Sequence, residues 1–167
     1  MTTTADSEAG IQSHLAITVG SAGTPAWVER TATFDGVEGD LTFGVSPKWN
    51  DKYFVVDGQF PIRATTNDVF VASVAACMTG VFAYALEVRG ILVTPETLVV
   101  DVETDMGPAD DDGAWIVRSI ALTFNVKVEE SKRAAAERTL ATYDRHCLLS
   151  QTLKGGRCEL SSAITYT

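Results

Sequence analysis

The chain has 167 residues, of which 22 are acidic and 13 basic, giving a net charge of −9. This length suits one domain, or two fused lobes, with a real core, and the ordinary composition excludes disordered and collagen-like classes. Lys and Arg are scattered singly or in pairs, so no basic stripe exists to neutralise phosphates, which argues against a nucleic-acid partner.

The first ten residues, MTTTADSEAG, have neither the positive nor the apolar region of an export signal. Residues 1–20 are expected to be a flexible polar lead-in to a single domain over 21–167. A cytoplasmic protein follows from the same reading, with thiols reduced at rest.

Trp27 to Phe34 has strand composition and ends in the turn signal Asp35-Gly36. Asp40 to Val45 reads as the returning strand, with Leu41 and Phe43 alternating against Thr42 and Gly44. A third extended piece, Tyr53 to Val56, precedes Asp57-Gly58.

From Val69 to Leu86 run eighteen residues without a charge, long enough nominally for a membrane span. Ala and Gly make up six of them, Ser73, Cys77 and Thr79 interrupt the rest, and no basic flank precedes the run. These features favour a core helix over a membrane segment. The helix is expected over about Asn67 to Arg89, with N-caps offered by Thr65, Thr66 and Asn67, and with Arg89-Gly90 as its end. It is apolar on nearly every face, so one small sheet cannot cover it. A second copy of the chain would, and a homodimer is expected on that physical ground.

Leu98 to Thr104 reads as a strand, followed by the acidic loop Gly107 to Gly113. Three consecutive acids, Asp110 to Asp112, lack the alternation of a calcium loop and read as a solvated turn. In Trp115 to Val128 the even positions Ile120, Leu122, Phe124, Val126 and Val128 are apolar, while Ser119, Thr123, Asn125 and Lys127 are polar. Period two on this scale predicts a strand. A second helix is expected from Glu129 to about His146, and Arg157 to Tyr166 reads as the last strand. The order βββ-α-ββ-α-β indicates an α+β fold with largely antiparallel sheets.

Three cysteines, with no zinc spacing among them, make neither a disulfide scaffold nor a metal site. Cys77 lies within the buried helix, where a free cysteine is ordinarily a small hydrophobe. Cys147 follows Arg145 and His146, neighbours that would stabilise a thiolate. A long helix ending there would oppose it, because the negative end of the dipole disfavours an anion. Cys158 takes an inward strand position and is given no role.

The stretch Thr66-Asn67-Asp68-Val69-Phe70-Val71-Ala72-Ser73-Val74-Ala75-Ala76-Cys77 resembles the N-P-E-E-L-L-x-A-x-x-A-A-C segment of the OsmC/Ohr family. His146 to Leu153, HCLLSQTL, resembles that family's second motif, C-P-x-S-x-x-L, with Leu148 standing where the family has Pro. Sixty-nine residues separate Cys77 from Cys147, and the element order from about Trp27 onward also agrees with the family.

The resemblance implies an OsmC-like fold in an intertwined homodimer, with active sites at the subunit interface. It implies an organic hydroperoxide reductase in which Cys77 is peroxidatic and Cys147 resolving, through a sulfenic acid and a disulfide. An external dithiol, such as a protein-bound lipoyl group, would restore the thiols, and no resident cofactor or metal is implied. Phe70, Val74, Phe82 and Trp115 are the residues expected around an apolar pocket. The family supports its thiolate with an Arg held by a Glu. Asn67 stands where that Glu is expected and the first hairpin turn lacks an Arg, which leaves Asp68, Arg30 and Arg63 as supporting groups. The departures also allow a hydrophobic-ligand-binding dimer or a disulfide redox sensor on the same fold.

Overall fold

The computed structural model describes residues 13–20, 28–46, 62–110 and 113–167. The chain divides into two compact units, Met1–Thr66 and Asn67–Thr167.

The first unit is built on an antiparallel meander of β1 (Leu15–Val19), β2 (Arg30–Phe34) and β3 (Asp40–Phe43). β2 is the middle strand, pairing Ala32 with Ile17 on one side and with Leu41 on the other. The Asp35-Gly36 turn joins β2 to β3 as its sequence predicts, with Gly36 at φ 72° and Gly39 at φ 92°. β1 corrects the expectation for residues 1–20: the end of that lead-in is an ordered strand. The extended piece expected at Tyr53 to Val56 lies outside the described residues, as does Trp27.

Beyond β3 the chain meets the 62–64 segment in a parallel bridge between Val45 and Ile62. The Gly44 amide donates to the Ala64 carbonyl at 3.0 Å, and the Arg63 amide to the Val45 carbonyl at 3.1 Å. A Cβ on Gly44 would lie 2.7 Å from the Arg63 Cβ, so this close passage requires glycine.

The second unit opens with α1 (Thr66–Val88), within a residue of the predicted span at each end. Its end is a Schellman cap, with Gly90 at φ 73°. The Ile91 amide donates to Leu86 at 3.0 Å and the Gly90 amide to Glu87 at 2.9 Å. Leu86 and Ile91 are both buried, supplying the apolar contact that accompanies this motif.

The sheet has the order β4 (Leu98–Pro108), β5 (Trp115–Val126), β6 (Glu159–Tyr166). β4 and β5 are antiparallel, whereas β5 and β6 are parallel, the one departure from the expected antiparallel pairing. Parallel neighbours need a crossover. It consists of α2 (Glu130–Leu140), a 3₁₀ turn (Tyr143–His146) and a short α3 (Leu148–Leu153). The single helix expected from Glu129 to His146 is therefore corrected, and α1 is the only long helix among the described residues. At the break the Thr139 hydroxyl donates to Ala135 at 2.9 Å and the Thr142 hydroxyl to Arg138 at 3.1 Å. Such bonds compete with continuation of the helix.

Ile120, Leu122, Phe124 and Val126 of β5 are buried, as their alternation predicts. Register shifts near the start of β5, where Asp105 pairs with Ser119 but Met106 pairs with Val117. Arg118 is the extra residue of this bulge, and Val117 joins the core in its place. Against this face α1 lays Val71, Val74, Ala75, Met78, Phe82 and Leu86, a single helical stripe. Its opposite face, with Ala76, Gly80, Tyr84 and Val88, is exposed. The expectation that protein surrounds this helix is thus met on one side only by its own chain.

Candidate thiol site

The rotation of α1 about its axis sets the position of Cys77. At about 100° per residue, Cys77 falls at the edge of the exposed face, between Tyr84 and Val88, and it is partly exposed. Phe70, two turns earlier, occupies the same edge.

The crossover delivers the second sulfur. Cys147 is extended, with φ −88° and ψ 111°, and caps the N-terminus of α3. Its amide donates to the Asp144 carbonyl at 3.0 Å, its carbonyl accepts from the Gln151 amide at 2.9 Å, and its side chain is fully buried. Cys147 Sγ stands 3.1 Å from Cys77 Sγ and accepts the Ser150 amide at 3.4 Å. The structure thus brings together two thiols that sequence places seventy positions apart.

Burial pushes the Cys147 thiol above its ordinary range, the Ser150 amide pulls it down, and the neighbouring Cys77 raises it again. The expectation that Cys147 ends a long helix, with an unfavourable dipole, is corrected: its sulfur faces an amide at the start of a helix. Arg145 and His146 are exposed to solvent. The polar contact made by the Cys147 sulfur comes instead from the Ser150 backbone, which residue type alone does not reveal.

Asp68 lies in the first turn of α1 and is partly buried. Arg30, at the start of β2, and Arg63 belong to the first unit, where Arg63 Nε lies 3.5 Å from Glu29 Oε2. Of the residues expected around an apolar pocket, Val74 and Phe82 are core. Trp115 is exposed at the start of β5. Phe70 does line a cavity of about 330 Å³, together with Ile116, Val117, Thr152, Leu153 and Cys158. Cys158, expected on the last strand, lies one residue before β6; it packs partly buried against the core, and burial raises its pKa.

Residues 60–161 match the family model of OsmC-like proteins. No curated protein matches the chain in sequence. Among solved structures, an OsmC-like protein of unknown function from Vibrio cholerae is similar with a TM-score of 0.72 at 16% identity, over 93% of this chain and 100% of that one. An OsmC-like protein from Mycoplasma pneumoniae gives 0.68 at 14% identity, over 94% and 98%. The organic hydroperoxide resistance protein OhrB of Bacillus subtilis gives 0.63 at 15% identity, over 93% and 98%. With its α+β fold and most of its length matched, the chain belongs to the OsmC-like protein family.

Proposed function

We propose that the chain is a thiol-dependent peroxidase that reduces organic hydroperoxides. The observation that carries this reading is the 3.1 Å approach of Cys77 Sγ to Cys147 Sγ, one sulfur partly exposed and the other buried. The name of the Bacillus subtilis relative, an organic hydroperoxide resistance protein, points to the same chemistry.

In this reading Cys77, as thiolate, attacks one peroxide oxygen. An S–O bond forms, the O–O bond breaks, and the alkoxide takes a proton to leave as an alcohol. Cys77 is then a sulfenic acid. The Cys147 sulfur attacks Cys77 Sγ, the S–O bond breaks, water departs, and a disulfide joins the pair. An external dithiol, for which a protein-bound lipoyl group is suited, then takes over the disulfide.

A second copy covers the exposed face of α1 and makes a homodimer, and the protein acts in the cytoplasm. Asp68, Arg30 and Arg63 enter this reading as supporting groups, each open to test by its amide or Gln variant in the rate of peroxide consumption. The decisive experiment uses about one equivalent of cumene hydroperoxide, followed by alkylation and mass spectrometry. An intrachain Cys77–Cys147 disulfide is the expected product. If Cys77→Ser consumes hydroperoxide with a dithiol as fast as the parent does, the proposal fails.

A further inference from the structure

The two sulfurs of the pair differ in access. Cys77 keeps part of its surface in solvent, on the flank of α1. Cys147 has no exposed surface and belongs to the buried cluster that includes Val74, Met78, Phe124 and Tyr143. Thiol–disulfide exchange needs the incoming sulfur in line with the bond that breaks, and which sulfur is struck depends on access. To strike Cys147, an external thiol would have to approach through the packed core of its own chain; Cys77 has no such cover from its own chain and is reached along the edge of α1, beside the face given to the second copy.

We infer that the cycle's reduction has a fixed polarity: the external thiol attacks Cys77, and Cys147 leaves. This rests on the peroxidase reading for the disulfide's place in a cycle. The incoming thiolate forms a new S–S bond to Cys77 Sγ. The Cys77–Cys147 bond breaks, and its electron pair departs on Cys147 Sγ as a thiolate, which then takes a proton. A second thiol of the same reductant displaces Cys77 from the mixed disulfide and closes the reductant's own disulfide.

Two features around Cys147 bear on the departing sulfur. The Ser150 amide, 3.4 Å away, is already aimed at it and favours the anion as the bond breaks. Burial then favours the neutral thiol, so Cys147 is reprotonated at neutral pH. A protonated Cys147 is a poor nucleophile toward the mixed disulfide beside it, and this slows reclosure.

The experiment uses the full chain with Cys158→Ser, which removes the third thiol. Diamide closes the disulfide without any peroxide. Brief exposure to 2-mercaptoethanol, quenched with excess N-ethylmaleimide in denaturant so that the buried thiol is labelled too, traps the first exchange product for peptide mapping. Mercaptoethanol on Cys77 with maleimide on Cys147 is expected in at least a tenfold excess over the reverse. Equal labelling, or mercaptoethanol mainly on Cys147, overturns the inference. A chain that diamide cannot cross-link overturns both the inference and the peroxidase reading. Peroxide consumption measured on the same preparation separates the two: consumption with mercaptoethanol on Cys147 sinks the polarity alone. As an independent readout, Cys147 in Cys77→Ser should react with Ellman's reagent at least tenfold more slowly than Cys77 in Cys147→Ser. The difference should vanish in denaturant. Equal native rates in the two variants also overturn it.

Discussion

The ring of Phe82 stacks on Phe124 with centroids 4.2 Å apart, and this contact joins α1 to the middle strand of its sheet. Tyr143 meets both rings edge-on, at 5.2 Å from Phe82 and 5.6 Å from Phe124. Three elements therefore converge on one aromatic cluster: the helix carrying Cys77, the central strand, and the turn leading to Cys147. The cluster fixes the rotation of α1 and the depth of the 3₁₀ turn together. The distance between the sulfurs follows from both.

Phe82→Ala should cost about 3–5 kcal/mol of stability, the usual range for emptying a fully buried phenylalanine site. Because the cavity sits between the two cysteine-bearing segments, diamide cross-linking of Cys77 to Cys147 should slow as well. Urea denaturation and the cross-linking rate check the two parts. A loss below about 1 kcal/mol would show that the cluster is not a keystone.

Cys147→Ser separates the two halves of the proposed chemistry. The first turnover should survive, because Cys77 alone breaks the O–O bond, and dimedone should trap the sulfenic acid that accumulates. Steady-state consumption with a dithiol should fall at least tenfold. Rapid mixing with one equivalent of hydroperoxide, against a steady-state assay, reads both. A variant that turns over like the parent would show that Cys147 does not resolve the intermediate.

Much of this architecture was legible in the residues, for local reasons. β5 announced itself because one of its faces is buried, so alternation was preserved from Ser119 to Val126. α1 was legible from its uncharged run and its Arg89-Gly90 end. The parallel placement of β6 was not, because strand order is decided by packing far along the chain. β1 escaped notice because all five of its residues are exposed and it follows a polar lead. α3 escaped because it is only six residues long and is capped by a cysteine in place of the usual Ser, Thr, Asp or Asn. The Cys77–Cys147 pairing has no local signature at all. Only the resemblance of two separate motifs pointed to it.

Tyr84 tests how α1 is covered. It is 70% exposed in a single chain, on the face it shares with Ala76 and Gly80. A long helix whose uncharged run has one bare side is costly to leave in water. The parent should sediment at twice the chain's mass, and Tyr84→Glu should shift it toward the monomer by placing a charge in the contact. A monomeric parent, or a variant that stays dimeric, would remove the second copy from this face.

Tyr166 gives the fold a defined sensitivity to alkali. Its hydroxyl donates to Glu137 Oε1 at 2.9 Å and lies 3.1 Å from the Arg133 carbonyl, while the Arg133 guanidinium sits 4.7 Å from its ring centroid. This latches the last strand onto α2. Burial, and then the Glu137 carboxylate, push its pKa from 10.0 to about 12. In the unfolded chain the phenol ionises near its ordinary value, whereas in the folded chain it stays protonated. The stabilisation is therefore fully present below pH 10 and is lost as pH rises toward 12. Phenylalanine at 166 cannot ionise and forms neither hydrogen bond, so Tyr166→Phe should be less stable at pH 8 and lose less between pH 10 and 11. Urea midpoints at pH 8, 10 and 11 for parent and variant measure this. Parallel pH profiles for the two proteins would mean that Tyr166 ionises alike in both states, and the latch would then contribute nothing to the alkaline limit.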